Sequence, residues 1–275
     1  MTSTQPVATA VLDVPGAHLY YEVRGSGPLV VLVGAPMGAQ SFAGLADLLA
    51  TDHTVLTTDP RGINRSTVDD PDADATPEQR GDDLARLITH LDAGPSAVLG
   101  SSGGAVSTLA LVQAHPEVVR TAIAHEPPLQ KLVGDHERLR ELTEDYLDTY
   151  FAGDVLGSWR KFLDMADIAM PEELIQQIFG GPRDPQQVAD DDFQNAHMLR
   201  PTSFWRPDID ALRAASTRIV IGIGDESTGQ LCDRTSRALA ELLSIEPTPF
   251  PGDHIGFAED PAAFAPPLRA VLAGG

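Results

Sequence analysis

The feature that most constrains this chain is the glycine-rich turn Gly100-Ser101-Ser102-Gly103-Gly104. A short apolar run, Ala97 to Leu99, precedes the turn, and apolar residues at helical spacing follow it from Val106. The chain therefore passes from a strand into a helix within a few residues. Such a reversal holds Ser102 in a strained backbone conformation, and the flanking glycines avoid the collisions that side chains would cause. The turn predicts a strand, a sharp corner and a helix in succession.

Ser102 stands at the tip of this corner, where its hydroxyl would project from the end of a strand. The N-terminus of the following helix favours negative charge that develops there. Ser102 is therefore a candidate nucleophile in a G-x-S-x-G context. The same residues also fit a plain strand-to-helix turn or a phosphate-binding loop. The motif alone does not distinguish these three interpretations, and other parts of the sequence are needed.

Short apolar strands alternate with amphipathic helices along most of the chain. Leu29 to Val33 is apolar throughout, as expected of a strand that is covered on both faces. Repeated strand–helix units predict an α/β fold with a mostly parallel sheet covered by helices. Residues 1–9 are predicted to be a tail. The other predicted strands are 18–23, 53–58, 97–99, 121–124, 218–223 and 245–250, and the predicted helices are 41–50, 77–91, 106–112, 234–243 and 264–272.

Strand signals disappear between residues 129 and 206, where helical periods recur. This predicts a core formed by residues 1–128 and 207–275 and a helical cap inserted at 129–206. Large apolar side chains concentrate in the cap, and they fit either an apolar substrate pocket or the seal between cap and core. The predicted pocket residues are Met37 from the core and Tyr146, Tyr150, Trp159, Phe162, Phe204 and Trp205 from the cap; Phe151, Met165, Phe179, Phe193 and Met198 complete the apolar set.

The charge of the chain limits its partners. With 40 acidic and 19 basic residues, the net charge is −21. Such a surface repels nucleic acid and anionic membranes, so neither is expected to bind. We expect a small-molecule substrate, and the sequence is also compatible with a homodimer.

The predicted location is the cytoplasm. Cys232 is the only cysteine, so no intrachain disulfide can form and a reducing compartment is the default. Residues 1–16 contain neither Lys nor Arg and no long apolar stretch, which argues against a signal peptide. The longest apolar run, around Leu29–Val33, is too short to span a bilayer.

Four pieces of the chain together resemble the α/β-hydrolase fold, across nearly its whole length. They are Gly34-Ala35-Pro36, Asp59-Pro60-Arg61-Gly62 with Arg65-Ser66, the corner at Ser102, and His254 near the end. The corner precedes the histidine, which is the order that this family uses. The resemblance implies a serine nucleophile, a histidine base and a carboxylate. No His or Cys spacing is typical of a metal site, so no metal and no cofactor are expected.

A serine hydroxyl is too weakly acidic to react alone and needs an imidazole that accepts its proton. His254 fits this role, since it follows a strand through Pro251-Gly252-Asp253, in the loop where the family carries its histidine. The other histidines are predicted to be exposed or packing residues. His125 lies beside Glu126 at a strand end, where successive side chains point to opposite faces. We therefore interpret His125 as a structural or supporting residue.

The carboxylate departs from the usual pattern of the family. Most members have an Asp three residues after the glycine that ends the strand following the cap; here that glycine is Gly224, and the position holds Ser227. A serine cannot stabilise an imidazolium. Glu126 stands at the end of the strand that follows the helix after Ser102, an arrangement similar to that of some haloalkane dehalogenases. We predict Glu126 as the orienting acid, with Asp225 as the alternative.

Two backbone N–H groups are expected to form an oxyanion hole. They belong to Gly103, directly after the nucleophile, and to Ala35. Members of the family often have His-Gly before this loop, whereas this chain has Val33-Gly34. That difference spares the two backbone donors.

A serine nucleophile, rather than an aspartate, favours attack at a carbonyl carbon over dehalogenase or epoxide chemistry. The sequence predicts a cofactor-free serine hydrolase that cleaves a carboxylic ester or lactone of a hydrophobic small molecule through an acyl-enzyme. The alternatives are a cyclase or acyltransferase, a ligand-binding protein, and an exopeptidase.

Overall fold

The computed structural model describes residues 7–274. Its strands are β1 (Ala8–Val14), β2 (Ala17–Gly25), β3 (Leu29–Val33), β4 (Thr54–Thr58), β5 (Thr67–Val68), β6 (Ser96–Ser101), β7 (Val119–His125), β8 (Arg218–Gly224) and β9 (Thr248–Phe250). They form one sheet in the order β1-β2-β4-β3-β6-β7-β8-β9, with β5 paired to β2. Every pair from β4 to β9 is parallel, and β2 pairs antiparallel with β1, β4 and β5. The predicted mostly parallel sheet is confirmed.

The helices are α1 (Ala43–Leu49), α2 (Pro77–His90), α3 (Gly103–Ala114), α4 (His136–Phe151), α5 (Val155–Met165), α6 (Glu172–Phe179), α7 (Pro185–Phe193), α8 (Leu199–Ser203), α9 (Ile209–Ala214), α10 (Leu231–Leu243), α11 (Gly256–Glu259) and α12 (Pro261–Ala273). A π-helical turn, Gln194–Met198, joins α7 to α8. Within residues 7–274, none of these helices combines the length and the apolar character that crossing a bilayer requires.

Helices cover both faces of the sheet and enclose two apolar layers. The first layer contains residues of α2, α3, α9 and α10, and the second contains residues of α1, α11 and α12. Strand β3 shows why its sequence is apolar throughout: Leu29, Val31 and Val33 join the first layer, and Val30 and Leu32 join the second. Alternate side chains of a strand point to opposite faces, so both faces of β3 are buried.

The N-terminal prediction needs a correction. Residues 8 and 9 of the predicted tail are part of β1, which pairs along its whole length with β2. The side chains of β1 are mostly exposed, so the strand carries little of the apolar signal on which a sequence prediction depends. Residues 1–6 of the predicted tail lie outside the described residues.

Between β7 and β8 the described chain contains helices α4 to α9 and no strand. Several hydrogen bonds tie residues 129–206 to the rest of the molecule. Among them are Arg80 Nη2 to Thr202 Oγ1 at 2.7 Å, Trp205 Nε1 to Glu78 Oε1 at 2.7 Å, and Asn64 N to Asp190 Oδ1 at 2.8 Å. This helical segment lies where the cap is expected, and its limits at 129 and 206 stay a prediction.

Candidate active site

The corner at Ser102 has the predicted geometry. Strand β6 ends at Ser101, helix α3 begins at Gly103, and Ser102 between them has φ 56° and ψ −126°. Its N–H donates to the carbonyl oxygen of His125 at 2.9 Å, which ties the corner to the end of β7. A Cβ on Gly104 would overlap the carbonyl oxygen of Val33. Only glycine therefore fits at position 104, and this close packing holds Ser102 in its strained conformation.

His254 and Glu126 meet at the same edge of the sheet. His254 lies in the loop between β9 and α11, and its Nδ1 is 2.6 Å from Oε2 of Glu126. Glu126 follows β7 directly, has φ 52° and is fully buried. Its other oxygen, Oε1, accepts the N–H of Gly224 at 2.8 Å. With Nδ1 bound to the carboxylate, Nε2 is the ring atom that can accept a proton.

The alternative acid, Asp225, points elsewhere. It follows β8 directly, and its Oδ1 accepts the N–H of Gly252, in the turn just before His254, at 3.0 Å. Ser227, at the position where most members of the family have an aspartate, is fully buried. The carboxylate that reaches the His254 ring is that of Glu126, which approaches from the neighbouring strand.

The two partners shift each other's pKa values in opposite directions. Burial raises the pKa of Glu126, but the hydrogen bond and the charge of His254 outweigh it and bring that pKa to about 2. Burial lowers the pKa of His254, but the neighbouring sulfur of Cys232 and the Glu126 carboxylate raise it well above 6.5. The site therefore stabilises an imidazolium beside an ionised carboxylate, the charge state that follows proton transfer from a nucleophile.

His125 has surroundings unlike those of His254. It is fully buried, its Nδ1 lies 3.2 Å from Oγ of Ser101, and its ring packs edge-on against Phe250, Phe257 and Phe264. Burial lowers its pKa to about 4, so the ring is neutral at physiological pH. These contacts agree with a packing role for this side chain.

Ser102 and His254 line one cavity of about 120 Å³ between the sheet edge and the helical segment. Ala35 and Gly103 also line it, and a Cβ on Gly103 would overlap the carbonyl oxygen of Ala35. The loop after β3 is thus packed closely against the start of α3. The remaining lining residues are Pro36, Pro128, Gln130, Phe162, Met165, Ala166, Gln194, Met198, Leu199, Thr202, Ser203, Leu231 and Cys232.

Of the seven predicted pocket residues, only Phe162 lines this cavity in the described structure. Most of the other six contact neighbouring side chains instead, because a large side chain in a helical layer also holds that layer together. Tyr146 donates to Asn195 at 2.8 Å, Tyr150 donates to Asp192 at 2.6 Å, and Trp159 stacks on Phe179 at 4.1 Å. Trp205 donates to Glu78, and Met37 packs against the second apolar layer. Phe204 directly follows α8. Met165 and Met198, from the wider apolar set, do line the cavity.

Sequence reasoning missed Cys232 as a member of the site. One ligand atom from each of Cys232, Glu126 and His254 lies within 4.8 Å of the others, the one group in residues 7–274 that could hold a metal ion. The three residues are far apart in the sequence, so no ligand spacing could have revealed the cluster. The hydrogen bond between His254 and Glu126 already uses one atom from each of those two residues.

Comparison with known proteins identifies the family of this chain. The sequence matches the alpha/beta hydrolase family over residues 29–266. The chain belongs to this family. It is 30% identical over 273 residues to the protein named uncharacterized hydrolase YraK from Bacillus subtilis (strain 168), an alignment that spans 97% of this chain and 96% of the relative. This α/β hydrolase is also 30% identical over 161 residues to a zearalenone hydrolase from Bionectria ochroleuca, covering 55% of this chain and 60% of that protein.

Solved structures show the same fold. An alpha/beta hydrolase from Sphaerobacter thermophilus DSM 20745 superposes with a TM-score of 0.70 at 23% identity, covering 96% of this chain and all of that one. A thermophilic esterase from Thermogutta terrifontis gives a TM-score of 0.68 at 21% identity, covering 97% of this chain and 98% of that one. The relatives together support hydrolase activity for this α/β hydrolase.

Proposed function

We propose that this α/β hydrolase is a cofactor-free serine hydrolase that cleaves a carboxylic ester or lactone of a hydrophobic small molecule through an acyl-enzyme. The observation that carries the proposal is the 2.6 Å hydrogen bond between His254 Nδ1 and Glu126 Oε2, at a cavity that also contains Ser102. A buried carboxylate on Nδ1 fixes the ring tautomer in which Nε2 accepts a proton.

The reaction begins when Oγ of Ser102 attacks the carbonyl carbon of the substrate and its proton passes to Nε2 of His254. Glu126 stays ionised and stabilises the imidazolium that forms. The N–H groups of Ala35 and Gly103 stabilise the oxyanion. His254 then gives the proton to the leaving alkoxide. Water attacks the acyl-enzyme by the same route and releases the acid and free Ser102.

The cavity favours a small hydrophobic group. Its volume of about 120 Å³ is comparable to an engineered apolar cavity of roughly 150 Å³ that binds benzene. Phe162, Met165, Met198 and Leu231 supply apolar surface to its lining. Two relatives are named zearalenone hydrolases, which adds that compound to the substrates worth testing.

The test is covalent labelling combined with turnover. A fluorophosphonate is expected to add once, at Ser102, and to abolish hydrolysis of p-nitrophenyl acetate. Ser102→Ala should lose both labelling and turnover, whereas Ser101→Ala, at the adjacent buried serine, should keep the label. Mass spectrometry of the labelled peptide identifies the modified residue. Full turnover by Ser102→Ala would contradict the proposal, as would a label on another residue.

Acyl-chain series and lactones then define the substrate. Esters with short apolar acyl chains should be hydrolysed faster than esters with a charged acyl group, because desolvating a charge in this cavity is costly. Zearalenone and an N-acyl homoserine lactone test for lactone cleavage. A marked preference for charged esters would contradict the hydrophobic substrate class while leaving the serine mechanism intact.

A further inference from the structure

A second cavity is separate from the catalytic cavity, and the two share no lining residue among residues 7–274. Its volume is about 20 Å³, and it lies between strands β3 and β4 and helices α2 and α3. About 10–15 Å³ is enough to hold one water-sized species. The lining residues are Leu19, Val33, Gly34, Thr58, Asp59, Pro60, Arg61, Arg80, Asp83, Leu84, Leu87 and Ser107.

Arg80, from α2, is the residue in this cavity that the fold leaves unsatisfied. Only 3% of it is exposed, and its Nη2 donates to the hydroxyl of Thr202 at 2.7 Å. Its Nε and Nη1 are buried and have no acceptor within hydrogen-bond distance among residues 7–274. A buried donor without an acceptor is costly, and more so when it carries charge.

The other charged groups at the cavity neutralise one another. Arg61 donates to both oxygens of Asp83, at 2.7 and 2.6 Å. Both oxygens of Asp59 accept hydrogen bonds from the Arg65 guanidinium, at 2.7 and 3.1 Å. Arg80 has no such carboxylate partner. Burial brings its pKa to about 10, so the guanidinium is still charged at neutral pH. Arg80 is therefore the lining guanidinium whose charge no carboxylate among residues 7–274 meets through a hydrogen bond, although Asp83 and Glu78 act on it through space.

We propose that this cavity binds a single monovalent anion, chloride under physiological conditions, through the free guanidinium N–H groups of Arg80. An anion supplies an acceptor for these N–H groups and places a negative charge in direct contact with the guanidinium, and such charge-assisted hydrogen bonds are the strong ones. Chloride is a compact single-atom anion, so it suits a cavity that admits one small species better than any polyatomic anion does. The proposal does not depend on the proposed ester chemistry.

The anion would stabilise three parts of the active site together. Gly34 lines the anion cavity and directly precedes Ala35. Ser107 also lines it, and its hydroxyl donates to the carbonyl oxygen of Gly103 at 3.0 Å. Thr202, which accepts the hydrogen bond from Arg80 Nη2, lines the catalytic cavity. Chloride at Arg80 would thus connect the oxyanion loop, the start of α3 and the helical segment above them.

The first measurement is thermal unfolding of the whole protein at constant ionic strength, with sodium chloride replaced stepwise by sodium gluconate. Gluconate is too large for a cavity of this volume. We expect Tm to rise saturably with chloride, by on the order of 2 °C. Bromide should act in the same way. Equal Tm values in chloride and gluconate would overturn the proposal, since water would then satisfy Arg80.

Two variants and crystals grown in bromide test whether Arg80 is the site of anion binding. Arg80→Met should lose the chloride-dependent shift in Tm, whereas Arg86→Met, at an exposed arginine of the same helix, should keep it. A shift that persists in Arg80→Met would overturn the proposal. If Arg80→Met does not fold, crystals of the native protein grown in bromide decide the question. An anomalous peak beside Nε and Nη1 of Arg80 supports the site, and its absence overturns it.

Discussion

Nδ1 of His254 lies 2.6 Å from Oε2 of Glu126, although the two residues are 128 positions apart in the chain. The carboxylate comes from the end of β7 rather than from the loop after β8, where the family usually has it. Because β7 and β8 are adjacent parallel strands, their carboxyl ends meet at one edge of the sheet. A carboxylate on either strand can therefore reach the same imidazole.

Replacing Glu126 tests this assignment directly. Glu126→Gln keeps the shape of the side chain but removes the charge that stabilises the imidazolium, so kcat should fall by about 10⁴-fold. Asp225→Asn is the matched control, because the Asp225 carboxylate accepts the N–H of Gly252 rather than a hydrogen bond from His254. Steady-state turnover of a p-nitrophenyl ester measures both. A large loss in Asp225→Asn with full activity in Glu126→Gln would exchange the two roles.

The pH dependence of kcat/KM should report on His254. The base must be neutral to accept a proton, so activity rises with pH as His254 is deprotonated. Since Glu126 and Cys232 raise the pKa of His254, the midpoint of this rise should lie above 6.5. Cys232→Ala removes one of these influences and should move the midpoint to lower pH. An unchanged midpoint in Cys232→Ala would show that the thiol does not influence the base.

The packing at the corner predicts which glycines tolerate a side chain. In Gly104→Ala, the new methyl group overlaps the carbonyl oxygen of Val33, so the free energy of unfolding should fall by about 1–3 kcal/mol. Gly134→Ala is the control, because a Cβ there meets no atom within 4 Å. Urea denaturation of both variants measures the difference. Equal stability would mean that β3 and α3 can separate without cost.

Phe162 should limit the size of the substrate. It is the predicted aromatic residue that does line the cavity, so Phe162→Ala enlarges the binding space. We expect kcat/KM to shift toward longer acyl chains by at least about tenfold relative to p-nitrophenyl acetate. Phe179→Ala, on the far side of Trp159, removes a similar volume outside the cavity. The same shift in Phe179→Ala would point to a loosened helical segment instead.

The sequence alone determined the sheet, its helical cover and the corner at Ser102. These features depend on local patterns: an apolar run such as Leu29–Val33 identifies a strand buried on both faces, and the spaced glycines identify a reversal that only small residues permit. Strand β1 escaped prediction because its exposed side chains carry no such pattern. The sequence predicts the structure of a segment correctly where the conformation of that segment depends mainly on its own residues.

Only the tertiary structure decided which side chains meet. From the sequence, either Glu126 or Asp225 could be the acid that orients His254. The pairing of β7 with β8 places Glu126 at the His254 ring. The cap aromatics were also ambiguous, because an apolar side chain lines a cavity or seals a layer according to the rotation and position of its helix. Cys232 and the unsatisfied guanidinium of Arg80 depend on long-range packing in the same way. No local spacing records such distances, which are fixed when the sheet and helices close around one another.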